Sequence, residues 1–200
     1  DMKAKDAPTL DFYDVEAVAY AARGQAHSED RLAEFANRLP AGGRILELGC
    51  GAGQDSQALL EKGFDVTPTD GSPKLAELAA KRLGRAVEVL LFEDIAHREA
   101  FDGIWAHACL LHVPRDALAP IIERIHAALR PNGVFYASFK AGHAEGRDRF
   151  GRYFNYPSPQ WLRGAYAIAD WRALDITEAM GGGYDREPTP WLHALATKAA

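Results

Sequence analysis

The sequence is poor in cysteine and has no long apolar run. Two cysteines, Cys50 and Cys109, have no CxxC pair or His-paired metal spacing around them, which argues against a disulfide framework and against a zinc site. We therefore expect no bound metal. No uninterrupted apolar stretch reaches the ~18 residues of a membrane span, and residues 1–6 lack the apolar core of a signal peptide. The sequence predicts a cytoplasmic protein with no membrane partner.

Clusters of like charge are also absent. The chain has 23 Lys and Arg against 28 Asp and Glu, a net charge of −5, and no run of five like charges. Nucleic-acid-binding proteins usually carry a basic patch, so we expect no nucleic-acid partner. Apolar residues make up 48% of the 200 residues, which is enough for the core of one domain. The composition leaves the oligomeric state open.

Short apolar runs alternate with helical patterns through the middle of the chain. Five strands are predicted, at Arg44 to Leu48, Phe64 to Thr69, Val87 to Leu91, Ile104 to Ala106 and Val134 to Phe139. This alternation predicts an α/β fold with a mainly parallel sheet covered by helices on both faces. Trp171 to Ile176 and Trp191 to Thr197 follow without a helix between them, which predicts an antiparallel hairpin at one edge.

We divide a single predicted domain into three segments. Residues 1–43 hold two N-terminal helices, the first from Thr9 to Arg23 and the second capped by Ser28; residues 44–139 form the core. Residues 140–200 hold an irregular stretch at 140–157, then a helix and the hairpin. Ser72-Pro73 and Ser158-Pro159 each combine a capping serine with a proline at the first helical position, so we expect a helix to begin at each.

Three glycines alternate directly after the first strand. Gly49, Gly51 and Gly53 stand between that strand and the next helix, where glycine allows a ligand to approach free backbone amides. The structural alternative is a glycine-rich turn without a ligand. A dinucleotide fingerprint would place glycine or alanine at Gln54, so the spacing argues against a site for a nicotinamide dinucleotide. Glu47 would repel a pyrophosphate but would attract an ammonium group.

Carboxylates follow the next two strands. Asp70 follows the second strand, at a place where a carboxylate accepts hydrogen bonds from ribose hydroxyls; the alternative is a turn aspartate before Gly71. Glu93 and Asp94 end the third strand and either contact an adenine amino group or cap a helix, and Asp94 is the preferred adenine contact.

Four segments resemble the signature segments of class I S-adenosylmethionine-dependent methyltransferases. They are Glu47 to Gly53, Asp70-Gly71-Ser72, Phe101 to Trp105 and Leu129 to Gly133. The resemblance covers about half of the chain. It implies a doubly wound, Rossmann-like sheet of seven strands with an antiparallel last strand, and an N-terminal helical cover.

The resemblance also implies a set of residues that bind S-adenosyl-L-methionine. Tyr13 and Tyr20 of the leading helix would cover the cofactor, and Asp70 would bind its ribose. The implied cofactor-binding residues are Tyr13, Tyr20, Glu47, Gly49, Cys50, Gly51, Gly53, Asp70, Gly71, Ser72, Asp94, Ile95 and His107.

The acceptor side carries no motif that names a substrate. His107 and His112 follow the fourth strand, and His112 is the candidate general base, with capping or packing beside the cofactor as the alternative. The stretch 140–157 mixes cations and aromatics; it is either a lid, in which Arg152 and Tyr153 hold an acidic or aromatic small molecule, or an ordinary surface loop. Cys50 and Cys109 are interpreted as packing residues.

The sequence therefore predicts a methyltransferase that modifies an oxygen, nitrogen, sulfur or metalloid atom of a small molecule. Two alternatives stay open at this point. One is an NAD(P)-dependent oxidoreductase that uses the same glycine loop and Asp70, and the other is a protein that binds S-adenosylmethionine without catalysis.

Overall fold

A seven-stranded sheet organises the computed structural model, which describes residues 4–22 and 29–200. Its strands are joined in the order β3-β2-β1-β4-β5-β9-β8. The strands are β1 (Arg44–Glu47), β2 (Asp65–Asp70), β3 (Glu88–Val89), β4 (Phe101–Ala106), β5 (Leu129–Lys140), β8 (Trp171–Gly181) and β9 (Thr189–Lys198). A separate two-stranded hairpin consists of β6 (Gly146–Arg147) and β7 (Tyr153–Phe154).

The five neighbouring strands β3, β2, β1, β4 and β5 are parallel to one another. Strand β9 is antiparallel to both of its neighbours, β5 and β8. The predicted α/β sheet with an antiparallel last strand is confirmed. The last strand lies between β5 and β8 rather than at the edge, because the β8–β9 hairpin docks on β5 through its second strand. The reversal of strand order at β1 and β4 creates the crevice in which open α/β sheets bind ligands.

Helices cover both faces of the sheet. They are α1 (Ala7–Val15), α2 (Ala17–Ala22), α3 (Glu29–Asn37), α4 (Gln54–Glu61), α5 (Pro73–Leu83), α6 (Arg115–Ala128) and α7 (Pro159–Tyr166). One core joins the apolar side of α6 and α7 to the sheet, and a smaller core joins α3 and α4 to the other face. Neighbouring residues of β4 divide between them, with Ile104 in the first core and Trp105 in the second, as strand alternation requires.

The two serine–proline patterns begin helices as predicted. Ser72 Oγ accepts a hydrogen bond from Leu75 N at 3.2 Å, and Ser158 Oγ accepts one from Trp161 N at 3.1 Å. The leading helix differs from the prediction, because it breaks at Glu16 into α1 and α2. The predicted end of that helix at Arg23 and the predicted cap Ser28 lie outside the described residues.

The predicted turn at Leu129 to Gly133 lies within β5 as an irregularity of the strand. Phe101 pairs with Leu129, whereas Gly103 pairs with Val134, so β5 carries extra residues relative to β4. Asn132 takes a left-handed φ of 64° in this bulge, a conformation that asparagine tolerates better than most residues.

The stretch 140–157 is irregular apart from β6 and β7, which form a short antiparallel hairpin. It packs against the turn after β4, where Asn155 N donates to Leu111 O at 2.8 Å. Within residues 4–22 and 29–200, none of the helices has both the length and the apolar character needed to cross a bilayer.

Candidate active site

A pocket of about 700 Å³, its open mouth included, lies beyond the carboxyl ends of β1 and β2. The wall comes from the N-terminal segment, the glycine loop, the turns after β2 and β3, and the turn after β4. The lining residues are Ala4, Lys5, Asp6, Thr9, Leu10, Tyr13, Tyr20, Gly49, Gly51, Asp70, Gly71, Leu75, Leu90, Leu91, Phe92, Glu93, Ala108, Cys109 and His112.

The glycine loop presents its backbone to this pocket. Gly49 and Gly51 line the wall and have left-handed φ values of 62° and 57°. A Cβ atom on Gly49 would lie 2.4 Å from the Cβ of Cys109, so this position accepts no side chain. Gly53 has a φ of 87° and precedes α4; it packs against Leu83 instead of facing the pocket. The loop is therefore a cradle whose shape depends on glycine.

Asp70 is held rigidly at the pocket wall. Gly51 N donates to its Oδ2 at 2.9 Å and Ser72 N donates to its Oδ1 at 2.8 Å. Burial raises the pKa of Asp70 to about 6, against the opposing effect of the two backbone hydrogen bonds. Each carboxylate oxygen accepts one backbone hydrogen bond and keeps a further lone pair, which suits it to accept ligand hydroxyls.

Two more carboxylates lie behind the loop. Glu47 is 2% exposed and accepts a hydrogen bond from Ser56 Oγ, and Asp55 accepts one from Trp105 Nε1 at 2.9 Å. Burial, together with the neighbouring carboxylates of Asp55 and Asp70, raises the pKa of Glu47 well above its ordinary value. A cationic group near the loop would stabilise the ionised form of Glu47, whereas an anion would oppose it. Glu47 itself is not on the pocket wall.

Cys50 and Cys109 are both free thiols and both buried. Burial raises the pKa of each thiol, and nearby carboxylates add to the effect. A thiol held neutral in this way is a poor nucleophile. Cys109 contacts the pocket, whereas Cys50 anchors the loop by donating its backbone N–H to Thr69 O at 2.8 Å.

The end of the pocket that follows β3 is apolar and has one carboxylate. Leu90, Leu91 and Phe92 line it together with Glu93, whose Oε2 is buried and has no hydrogen-bond partner among residues 4–22 and 29–200. Asp94, the preferred adenine contact of the sequence analysis, is exposed and lies off the pocket wall. The next residue, Ile95, is 1% exposed and belongs to the main core. The structure thus places Glu93 at this end of the pocket.

Residues 4–20 form the roof of the pocket. Tyr13 and Tyr20 both line it, and their rings meet edge to face with centroids 5.2 Å apart. The roof is attached to the stretch 140–157. Arg147 donates two hydrogen bonds to the Asp6 carboxylate at 2.7 and 2.8 Å, and Tyr153 N donates to Thr9 Oγ1 at 2.8 Å.

Hydrogen bonds fix the tautomer of His112. Its Nδ1 lies 2.6 Å from the carbonyl oxygen of Tyr153, which can only accept, so Nδ1 carries the proton. Nε2 is then an acceptor, and the Tyr13 hydroxyl donates to it at 2.8 Å. Burial lowers the pKa of His112 to about 3. His112 is therefore a neutral imidazole, and the lone pair on its Nε2 accepts the hydrogen bond from the Tyr13 hydroxyl.

Arg152 and Tyr153 lie behind this pair, away from the pocket wall. Arg152 donates to the Tyr13 hydroxyl at 3.0 Å and makes a bidentate pair with Asp148. The Tyr153 hydroxyl donates to Glu145 and accepts from Arg115 N. Burial raises the pKa of Tyr153 above its ordinary value. The structure thus links both residues to the wall through Tyr13 and His112.

His107 and Ser72 also lie off the pocket wall. His107 Nδ1 is 3.6 Å from Asp55 Oδ2, and its ring lies near Trp105 on the α3–α4 side of the sheet. Ser72 caps α5 and donates its hydroxyl to Asp14 Oδ1 at 3.0 Å. Gly71 does line the pocket, under Leu10 of the roof.

Residues 46–135 match a family model described as a methyltransferase domain. The match spans β1 to β5, just under half of the chain. It agrees with the methyltransferase resemblance of the motifs, and the predicted fold is confirmed. Among curated relatives, a ubiquinone biosynthesis O-methyltransferase from Xanthomonas axonopodis pv. citri is 37% identical over 116 residues, which cover 54% of this chain and 48% of the relative. The chain thus spans about half the length of such relatives.

Solved structures share the fold of the methyltransferase domain over nearly the whole chain. A 1,6-didemethyltoxoflavin-N1-methyltransferase from Burkholderia thailandensis, with bound 1,6-didemethyltoxoflavin and S-adenosylhomocysteine, has a TM-score of 0.74 at 23% identity and covers 97% of this chain and 88% of its own. A TehB-like SAM-dependent methyltransferase from Corynebacterium glutamicum has a TM-score of 0.64 at 26% identity, covering 94% and 97% of the respective chains.

Several parts of the pocket wall could not be predicted from the sequence. Leu90, Leu91 and Phe92 form an apolar run after β3 that could have indicated a ring-binding surface. Residues 4–10 and Ala108 offered no recognisable pattern, because their contacts with the pocket come from packing between distant parts of the chain.

Proposed function

We propose that this protein is an S-adenosyl-L-methionine-dependent methyltransferase with a small-molecule acceptor. The observation that carries the proposal is the joining of a glycine-only cradle to the rigidly held Asp70 carboxylate in one enclosed pocket. The methyltransferase domain and the S-adenosylhomocysteine named with the Burkholderia thailandensis structure support it.

The residues of the pocket fit an adenosyl cofactor in three places. Asp70 would accept hydrogen bonds from ribose hydroxyls. The apolar end at Leu90 to Phe92 would hold adenine, and the buried, unpartnered Oε2 of Glu93 would accept from its amino group. The cationic amino-acid end would lie near the loop, where its charge would favour ionisation of Glu47 behind it. S-adenosylmethionine supplies a methyl group on a sulfonium sulfur.

The chain's own contribution to transfer is alignment and exclusion of water. Tyr13 and Tyr20 line the pocket from the roof, and Ala108, Cys109 and His112 line it after β4. Such a site aligns an acceptor atom without a strong base nearby. The acceptor atom, whether oxygen, nitrogen, sulfur or metalloid, is left open by this geometry.

His112 is proposed as the residue that positions Tyr13, with proton acceptance as a second role. Its Nε2 is engaged by the Tyr13 hydroxyl, so an acceptor hydroxyl reaches it only if Tyr13 turns aside. A neutral imidazole with a pKa near 3 is also a weak base. We therefore expect His112 to contribute no inflection to the pH profile of the activity near the ordinary histidine pKa of ~6.5.

A small acceptor is supported by the net charge of −5, which offers no attraction to nucleic acid. The relatives named for ubiquinone biosynthesis and toxoflavin are consistent with small ring-bearing acceptors. A cytoplasmic location and a single-domain organisation stay predictions.

The test is a screen of small-molecule acceptors that detects release of S-adenosylhomocysteine. We expect turnover with at least one acceptor, and loss of that turnover in Asp70→Asn. Binding of S-adenosylmethionine without product from any acceptor would favour a cofactor-binding protein without catalysis. Stabilisation by NAD but not by S-adenosylhomocysteine in a thermal-shift assay would overturn the proposal.

A further inference from the structure

One buried cation of the stretch 140–157 contacts the pocket wall from behind. Arg152 is 3% exposed. Its Nε and Nη2 donate to Asp148 Oδ2 at 2.9 and 2.7 Å, and its Nη1 donates to the Tyr13 hydroxyl oxygen at 3.0 Å. Tyr13 lines the pocket, whereas Arg152 does not. Arg152 therefore reaches the pocket through Tyr13.

Five aromatic rings surround the guanidinium of Arg152. Its Cζ lies between 5.2 and 5.9 Å from each ring centroid. The rings come from three separate segments, which are α1, the stretch 140–157 and the turn between β8 and β9. They are Phe12, Tyr13, Phe150, Phe154 and Tyr184. Because a planar guanidinium stacks well on ring faces, this ring cage and Asp148 together fix the direction of Nη1 toward Tyr13.

The donors of arginine determine how the Tyr13 hydroxyl is oriented. A guanidinium only donates, so it occupies a lone pair of the Tyr13 oxygen and cannot receive the hydroxyl proton. The same oxygen lies 2.8 Å from His112 Nε2, which is an acceptor because Nδ1 carries the imidazole proton. The Tyr13 proton therefore points at His112 Nε2.

These hydrogen bonds form one continuous chain. It runs from the Asp148 carboxylate through Arg152, Tyr13 and His112 to the carbonyl oxygen of Tyr153. Both ends of this chain of bonds lie in the segment 148–153, so the backbone closes it into a ring. Tyr13 is the member contributed by the roof, and it is held from both sides.

We propose that Arg152 is a positioning residue of the methyl-transfer site. By donating to the Tyr13 oxygen, it directs the Tyr13 proton onto His112 Nε2 and holds the Tyr13 ring in the pocket wall against the ligand. This inference rests on the proposed function for the identity of that ligand. It replaces the role in substrate binding that the sequence suggested for Arg152, since three nitrogens of the guanidinium are engaged within the protein.

The competing explanation is that Arg152 only stabilises the β6–β7 hairpin through Asp148. Arg152→Lys keeps a positive charge but loses the planar fork that bonds Asp148 and Tyr13 together. Tyr13→Phe removes the hydroxyl and leaves Arg152 with its carboxylate partner and its ring cage. The control is Arg149→Lys, at an exposed position of the same hairpin. The double variant of Arg152→Lys with Tyr13→Phe completes a double-mutant cycle.

Stopped-flow displacement measures the rate at which S-adenosylhomocysteine dissociates from each variant. We expect Arg152→Lys to raise this rate about tenfold, as the loss of one hydrogen bond from a charged group would, and Tyr13→Phe to raise it at least as much. In the Tyr13→Phe background, Arg152→Lys should change the rate by less than about twofold, because the hydroxyl through which it acts is gone. Arg149→Lys should leave the rate unchanged.

The ¹⁵N resonance of His112 Nε2 in the ligand-free protein reports on the hydrogen bond itself. In wild type we expect the frequency of an unprotonated imidazole nitrogen that accepts a hydrogen bond. Tyr13→Phe should shift it to the frequency of a nitrogen without that bond, and Arg152→Lys should shift it in the same direction. Arg149→Lys should resemble wild type. A role confined to the hairpin would leave this resonance in place.

The proposal is overturned if the effects of Arg152→Lys and Tyr13→Phe on the dissociation rate multiply in the double variant, or if Arg152→Lys leaves the His112 resonance unchanged. If Arg152→Lys does not fold, Tyr13→Phe decides: dissociation about tenfold faster supports the proposal, and dissociation at the wild-type rate overturns it. Failure to bind S-adenosylhomocysteine would count against the proposed function alone, because the His112 resonance is measured without ligand.

Discussion

The two ends of the pocket are built in different ways. The cofactor end is made from one continuous stretch of chain, since the glycine loop and Asp70 lie between residues 47 and 72 and are joined by backbone hydrogen bonds. The acceptor end is assembled from distant segments, because His112 meets Tyr13 of the roof and the carbonyl oxygen of Tyr153. The first end depends on local backbone geometry, and the second depends on long-range packing.

The two ends should therefore respond differently to substitutions. A change in the glycine loop alters the pocket surface directly, whereas a change in the roof removes one of several long-range contacts that attach it. We therefore expect the largest effects at the cofactor end and graded effects at the acceptor end.

Gly49→Ala should have the largest effect. The new Cβ would lie 2.4 Å from the Cβ of Cys109, so the loop must move. We expect the affinity for S-adenosylhomocysteine to fall at least ~100-fold, since the cost of such strain is about 3 kcal/mol. Isothermal titration calorimetry measures it.

The matched control is Gly63→Ala, which has a φ of 89° but no atom within 4 Å of the new Cβ. This variant should lose about 1 kcal/mol of unfolding free energy and keep its affinity. Equal losses of affinity in the two variants would mean that binding of S-adenosylhomocysteine does not depend on the shape of the glycine loop.

Asp70→Asn should weaken binding by roughly 10- to 100-fold, because an amide nitrogen would face either Gly51 N or Ser72 N and leave one backbone donor unpaired. Asp65→Asn, at the other end of β2 with a side chain 61% exposed, is the control and should bind normally. Tight binding by Asp70→Asn would show that the ribose contact lies elsewhere.

The pH dependence of binding should report on Asp70. Its pKa is raised to about 6, so the carboxyl is protonated in the free protein below that pH. Because the ligand hydroxyls need the ionised form, affinity should be constant above pH 6 and fall by up to ~tenfold per unit below it. Titrations between pH 4.5 and 8 test this, and the slope should vanish in Asp70→Asn.

Detaching the roof should have the smallest effect. Asp6→Asn keeps the N-cap of α1 but removes the ion pair with Arg147. We expect S-adenosylhomocysteine to dissociate roughly two- to fivefold faster, in line with the small contribution of a partly exposed pair. Stopped-flow displacement measures the rate.

Arg147→Gln should behave in the same way, although Arg147 is not on the pocket wall. Glu77→Gln, which breaks the surface pair with Lys81 on α5, should leave the dissociation rate unchanged. An unchanged rate in both roof variants would mean that the ion pair does not hold the roof.

The same contrast explains how far the sequence could be interpreted. The order of strands and helices, the caps at Ser72 and Ser158, and the position of Asp70 follow from local patterns, and the structure contains them. The left-handed turns of Gly49 and Gly51 need glycine, so the chemistry of the loop is visible in its composition. Local geometry is what a single sequence specifies most directly.

The acceptor end could not be predicted to the same depth. Arg152 was a reasonable candidate by charge, but its pairing with Asp148 and its contact with Tyr13 depend on a fold that brings residues 13 and 152 together. Lys140 follows a predicted strand, and nothing in its neighbours indicated that its side chain would be buried beside the rings of Phe154 and Trp191. The choice between Glu93 and Asp94 likewise depended on which side chain turns toward the pocket.

The central claim is that the glycine loop and Asp70 form a site for an adenosyl sulfonium cofactor. Parallel calorimetric titrations of the wild-type protein with S-adenosylmethionine and with NAD test it most directly. We expect a 1:1 complex with S-adenosylmethionine that is weakened by Asp70→Asn, and we expect no heat of binding with NAD. Binding of NAD together with no binding of S-adenosylmethionine would contradict it.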